Sequence, residues 1–206
     1  MAEVENAGSA ADFGVDPRKD LLVKHPLQNT WTLWYFENDK KKSWAENLRP
    51  VTSFSTVEDF WCLYNHIKPA SELRLGCDYC LFKQGIRPMW EDDANKYGGR
   101  WLISIERRST NDDELDSMWL EILLCLVGEG FDEVTDEVCG AVINVRPKAY
   151  KIAIWTADYK RESSLMEIGR KLKTRLHIQQ RDSLSYQTHE ATAKNPGPSL
   201  KPMFQI

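Results

Sequence analysis

The sequence predicts an α+β domain with a mainly antiparallel sheet. β-prone and amphipathic helical segments interleave without the regular strand–helix–strand alternation of a parallel fold. The stretch Val142–Trp155 reads as two alternating strands around a short turn. Apolar stripes at helical spacing open on capping-box residues, the signature of helix starts.

Residues 1–24 are small, polar and acidic without an apolar period, which predicts a disordered N-terminal tail before a single domain at 25–206. Trp31–Glu37 is aromatic and reads as a strand buried on both faces. Asn38–Ser43 is a charged loop, and Trp44 behind it either folds back as a plug or stays out to stack; the sequence alone favours the plug. Ser55 and Glu58 form a capping box for a helix whose Val57, Phe60, Trp61 and Tyr64 share one face. Further strands are expected at Tyr79–Lys83, Ile86–Glu91, Arg100–Arg107, Cys139–Arg146 and Lys151–Thr156. Further helices are expected from Asp113 to Val127 and from Ser164 to Leu176, the latter with a Ser164–Glu167 capping box. Three prolines and a glycine make 192–202 a mobile loop, after which Met203–Ile206 returns as a short edge strand.

The 206 residues suit one domain with tails, and 42% apolar with 28% charged residues is the mixture of an ordinary soluble chain. Apolar runs reach only about six residues, against roughly 18 for a membrane span. No basic segment opens a signal peptide, so a cytosolic or nuclear location is expected. Five scattered cysteines agree with reduced thiols. A net charge of −4 argues against a generic nucleic-acid binder, but its distribution is informative. Residues 109–145 hold ten acids and no Lys or Arg, and residues 146–175 hold nine Lys or Arg. A small basic site on an acidic body suits a compact anionic ligand; two solvated faces of opposite sign are the alternative.

A four-residue loop, Pro147–Tyr150, would put Arg146 opposite Lys151. Alternation then places Lys151, Ala153 and Trp155 on one face, and Val145, Ile152 and Ile154 on the core face. Cations beside an indole, with Lys148 at the turn, match a phosphate joined to an aromatic base. An edge hairpin with solubilising charges is the plainer alternative. In Pro88-Met-Trp-Glu91, the Trp90 indole offers a π-face and the Glu91 carboxylate can accept the two N–H groups of a guanine edge. A cationic base would gain about 0.5–2 kcal/mol more from an electron-rich ring. On the second helix, Leu120, Leu124 and Val127 form a second stripe, rotated roughly 140° from Leu115, Met118, Trp119, Ile122 and Leu126. That surplus is either covered by a loop or offered to a partner helix. Cys77 and Cys80 have redox or zinc spacing, but no second pair completes four ligands, and no nucleophile or phosphate-loop motif occurs. Neither catalytic residues, metal nor cofactor is expected.

Ordered blocks from His25 to the C-terminus resemble the eukaryotic messenger-RNA cap-binding family, translation initiation factor 4E. They include His25-Pro-Leu-Gln-Asn, Thr56-Val-Glu-Asp-Phe-Trp61, Pro88-Met-Trp-Glu91, Gly98-Gly-Arg-Trp101 and Cys139-Gly-Ala-Val-Ile-Asn-Val-Arg146. The resemblance implies a curved antiparallel sheet of about eight strands with three long helices on its convex face. It implies that 7-methylguanine stacks between Trp44 and Trp90, overturning the plug, with Glu91 and the Trp90 amide on the guanine edge and Trp155 beside the methyl group. Arg146 and Lys151 would hold the phosphates, with Arg100 and Lys148 nearby. His25, Pro26, Val57, Trp61, Leu120, Glu121, Leu124 and Gly128 would receive a Tyr-x-x-x-x-Leu-apolar helix from scaffold initiation factor 4G or from 4E-binding repressors. The family's phosphorylated serine aligns with Pro198, beside Ser199, and Cys80 stands where a serine is frequent. Trp31 and Trp44 are both retained, which favours an initiating member over a cap-binding repressor that does not engage the scaffold. A helix-binding adaptor and a cysteine-dependent redox or metal protein rank behind these.

Overall fold

The computed structural model describes residues 23–178, 184–195 and 200–206. The strands are β1 Pro26–Phe36, β2 Leu48–Thr56, β3 Asp78–Lys83, β4 Gly99–Glu106, β5 Val138–Val145, β6 Ala149–Thr156, β7 Ser185–Thr188 and β8 Phe204–Gln205. They form one curved sheet in the order β2-β1-β3-β5-β6-β4-β7-β8, with every neighbouring pair antiparallel. Three long helices, α2 Val57–His66, α3 Asp112–Val127 and α4 Glu162–Arg175, cover the convex side; α1 Trp44–Asn47 and α5 His189–Lys194 are short.

Alternation along the strands divides the apolar residues between two clusters. The larger joins Phe60 of α2, Leu115, Trp119, Ile122 and Leu126 of α3, and Leu165, Ile168 and Leu172 of α4 to Trp31, Leu33, Leu81, Trp101, Ile143, Ile152 and Ile154 of the sheet. On the concave side a smaller cluster holds Leu48, Cys80, Phe82, Cys139, Val142, Ala153 and Trp155. α4 seats closely because Gly169 faces the Trp101 ring, where a Cβ would stand 2.5 Å from the indole, and the indole N–H donates to Leu165 O at 2.9 Å.

Several expectations need correction. Ile86–Glu91 is a set of turns, because Pro88 lacks a ladder donor and Asp92 and Asn95 grip the backbone around it. β2 gives no apolar period, since six of its nine residues lie exposed at the sheet edge. Thr56, one residue later than expected, caps α2 by accepting Asp59 N–H at 3.2 Å. α4 starts at Glu162 without a side-chain cap, which puts Ser164 inside its first turn. Arg146 N–H donates to Ala149 O at 3.1 Å, so the hairpin loop shortens to Pro147-Lys148 and Lys151 lies opposite Asn144. The longer ladder buries the Tyr150 ring opposite Val145 in the larger cluster. The proposed division of hairpin faces survives this change of register.

The N-terminal tail falls outside the described residues up to residue 22. Lys24, at its expected end, pairs with Asp59 at 2.6 Å. Thr192–Lys194 belong to α5 rather than to a loop, and 196–199, including Pro198 and Ser199, lie outside the described residues. Among the described residues, no helix is long and apolar enough to cross a membrane.

Candidate ligand-binding face and opposite groove

Tryptophan burial divides the molecule. Trp31, Trp101, Trp119 and Trp155 are buried, whereas Trp44 (50% exposed), Trp90 (40%) and Trp61 (38%) are not. The exposure of Trp44 removes the plug expectation. Trp44 opens α1, behind a capping box between Ser43 and Glu46, and its ring lies 5.9 Å from Phe36. Phe36 beneath Trp44 and Met89, the neighbour of Trp90, both pack on the concave cluster, so the segments carrying the two exposed indoles are anchored on one apolar floor. Glu91 follows Trp90 on the same exposed turn.

Trp155 is part of that floor, edge-on to Phe82 at 5.5 Å and against His189 at 4.1 Å. Arg100 of β4 stands opposite Trp155 in the ladder. Burial pulls the Arg100 guanidinium below its usual value. Burial first, and Arg100 second, push the His189 imidazole down to about 3, so it is neutral at physiological pH. Trp155 Nε1, His189 Nε2 and Arg100 Nε are all buried without hydrogen-bond partners.

Beyond the indoles, Lys148 and Lys151 are exposed and Arg146 is half-buried in a bidentate pair with Asp78, one arm at 3.0 Å. The Asp78 hydrogen bond raises the Arg146 pKa, while burial lifts the Asp78 carboxyl above its ordinary value despite that pair. The concave side therefore combines a partly open aromatic pair, a carboxylate and a line of cations. Asp78 and His189 were missed in the sequence. Asp78 sat in view within Gly76-Cys-Asp-Tyr79, but its contact with Arg146 follows from the β3–β5 pairing.

The other predicted set lies on the helical side. Val57 and Trp61 are exposed on α2, and Leu120, Glu121 and Leu124 are half-buried on α3. His25 and Pro26 are exposed at the start of β1, where His25 O accepts Val57 N–H at 2.9 Å and Glu58 accepts the His25 ring at 2.6 Å. An apolar hollow lined by Phe60, Leu63, Tyr64, Ile67 and Leu123 joins α2 to α3, and Gly128 ends α3. Val127 is corrected: it packs into the larger cluster and leaves Leu120 and Leu124 as the surplus stripe. Cys77, one residue ahead of β3, lines a polar cleft with Glu37 and Arg74, while Cys80 within β3 joins the concave cluster, so the two thiols lie in different surroundings.

The family model for eukaryotic initiation factor 4E matches residues 26–202. The chain belongs to the eukaryotic initiation factor 4E family. Eukaryotic translation initiation factor 4E1 of Drosophila melanogaster is 54% identical over 201 residues, covering 97% of this chain and 76% of that one. Human eukaryotic translation initiation factor 4E is 53% identical over 184 residues, covering 89% and 84%. Among solved structures, Caenorhabditis elegans initiation factor 4E-3 in complex with the 4E-binding protein Mextli and a cap analog superposes with a TM-score of 0.82 at 46% identity, covering 89% of this chain and all of that one. Ascaris suum initiation factor 4E-3 with the m7G cap gives 0.83 at 43%, covering 89% and 98%. The schistosome 4E protein with m7GpppA and a 4E-binding protein gives 0.82 at 33%, covering 89% and 99%. These initiation-factor relatives do not favour the repressor alternative.

Proposed function

We propose that this chain binds the 7-methylguanosine 5′ cap of messenger RNA on its concave side and recruits a scaffold initiation factor through its helical side to start cap-dependent translation. The observation that carries this is two exposed indoles on segments anchored to one apolar floor, with Glu91 beside Trp90 and the hairpin cations on the same face, in a member of this family. Trp44 and Trp90 sandwich the base, whose N7-methyl positive charge adds cation–π attraction to stacking. Glu91 accepts from the guanine N1–H and N2–H₂, the Trp90 amide donates to O6, and Trp155 borders the methyl group. Arg146 and Lys151 hold the phosphates with Arg100 and Lys148 close by; the guanidinium supplies a planar fork and the lysines point charges.

The helical side takes a Tyr-x-x-x-x-Leu-apolar helix against His25, Pro26, Val57, Trp61, Leu120, Glu121, Leu124 and Gly128, from scaffold factor 4G or from repressors that compete with it. The chain works as a recognition module without catalysis or cofactor, as a monomer apart from its partners, in the cytoplasm and in part the nucleus. Retention on immobilised 7-methyl-GTP tests the reading: free 7-methyl-GTP should release the protein and GTP should not. Equal release by both nucleotides would refute methyl-cap recognition.

A further inference from the structure

We propose that two buried asparagines, Asn47 and Asn95, are positioning residues that fix the Trp44 and Trp90 indoles before the base arrives; this rests on the cap-binding reading above. An indole with 40–50% of its surface in solvent is not held by packing on all sides. Each of these two rides off the sheet, Trp44 on the four-residue α1 and Trp90 on a turn, so something other than the sheet ladder must fix it.

Asn47 closes the loop that carries Trp44. Its Oδ1 accepts Asp39 N–H at 3.1 Å, and its Nδ2 donates to Asp39 O at 2.9 Å, Ser43 O at 3.1 Å and Lys42 O at 3.4 Å. Its own carbonyl accepts Glu37 N–H at 3.0 Å, tying the loop exit to the end of β1. Asn95 clamps the Trp90 turn through its donors alone, its buried Oδ1 being without a partner. Its Nδ2 donates to Arg87 O and Met89 O, both at 2.9 Å, clamping the chain just ahead of Trp90. Asp92 completes that turn by accepting Arg87 N–H at 3.2 Å and Ala94 N–H at 3.1 Å.

Both asparagines are almost fully buried, at 4% and 0% exposure. A neutral amide can donate two hydrogen bonds from one rigid plane, which neither alanine nor an ionised aspartate can do. The device occurs twice, in loops far apart in sequence, and each time it holds loop carbonyls beside an exposed indole. Its consequence is pre-organisation: the ordering cost of both loops is met during folding and does not weaken binding.

The test uses the full chain labelled with 5-fluorotryptophan, with the Trp44 and Trp90 fluorine resonances assigned by Trp44→Phe and Trp90→Phe. Asn47→Ala should shift or broaden the Trp44 line, leave Trp90, Trp101 and Trp119 in place, and weaken 7-methyl-GTP about tenfold. Asn95→Ala should do the same to Trp90 alone. Asn47→Asp and Asn95→Asp keep the size and remove the donors, and binding of a Tyr-x-x-x-x-Leu-apolar peptide reports that each variant is folded. Unchanged affinity in folded variants, or tryptophan lines that all move together, would overturn the assignment. A wild-type chain that ignores 7-methyl-GTP would overturn the cap reading itself, a result distinct from wild-type binding with indifferent asparagine variants.

Discussion

Trp44 and Trp90 are exposed where Trp155 is buried, and the proposed base-binding site rests on that contrast more than on any charge. Stacking of a base on an aromatic side chain is worth about 1–3 kcal/mol. Trp90→Ala and Trp44→Ala should each lose that much 7-methyl-GTP affinity in a calorimetric titration, and an unaffected variant would remove that indole from the pocket. His189 makes a second residue-scale prediction. With its pKa at about 3 in the fold and near 6.5 unfolded, the unfolded chain binds the extra proton between those values. The stabilisation from a neutral, buried His189 is complete above about pH 6.5 and falls as pH drops toward 3, at roughly 1.4 kcal/mol per unit at most. Denaturant melts of wild type against His189→Gln should therefore converge as pH falls from 7 to 4. A constant difference would refute a neutral buried imidazole. Trp90 was legible in the sequence as an open π-face, whereas the residues around Trp44 favoured a plug, and only the family resemblance pointed to Trp44 and Trp61 as open surfaces, as they are. The roles of Asp78, His189, Asn47 and Asn95 depend on what each meets across the fold, which residue type alone does not carry.

Elements were legible in proportion to how one-sided their burial is. α2 and α3 show a 3.6-residue period because one stripe of each meets the sheet, and β5 and β6 alternate because their two faces meet different clusters. β2 was missed because an exposed edge strand has little apolar pattern to show, and β7 because it is four residues long. The β5–β6 hairpin was found with the wrong turn, since burial of Tyr150 extended the ladder past the expected loop. Its cations still belong with the concave face. Arg146→Ala and Lys151→Ala should weaken 7-methyl-GTP more than 7-methylguanosine, and added salt should narrow the gap between the two ligands by screening exposed charge. Equal losses for nucleoside and triphosphate would move these cations away from the phosphates. At the α4–sheet contact, Gly169→Ala would press a methyl group to 2.5 Å from the Trp101 ring, and overpacking of this kind costs about 1–3 kcal/mol. A lowered thermal midpoint should follow, whereas an unchanged midpoint would mean that the helix shifts freely.

At the scale of the whole molecule, one sheet separates the two proposed recognition surfaces. Its concave side carries Trp44, Trp90, Glu91, Trp155 and the hairpin cations, while its convex side seats the helices bearing Val57, Trp61, Leu120 and Leu124. Because the larger cluster lies between them, loss of a solvent-facing indole on one side should leave the other side working. Truncation of a buried interface tryptophan commonly costs 2 kcal/mol or more of partner binding. The most direct test measures fluorescence anisotropy of labelled 7-methyl-GTP and of a labelled Tyr-x-x-x-x-Leu-apolar peptide against wild type, Trp90→Ala and Trp61→Ala. Trp90→Ala should lose the nucleotide and keep the peptide, and Trp61→Ala should lose the peptide and keep the nucleotide. Loss of both ligands in Trp61→Ala would make Trp61 part of the core and contradict the division into two independent faces.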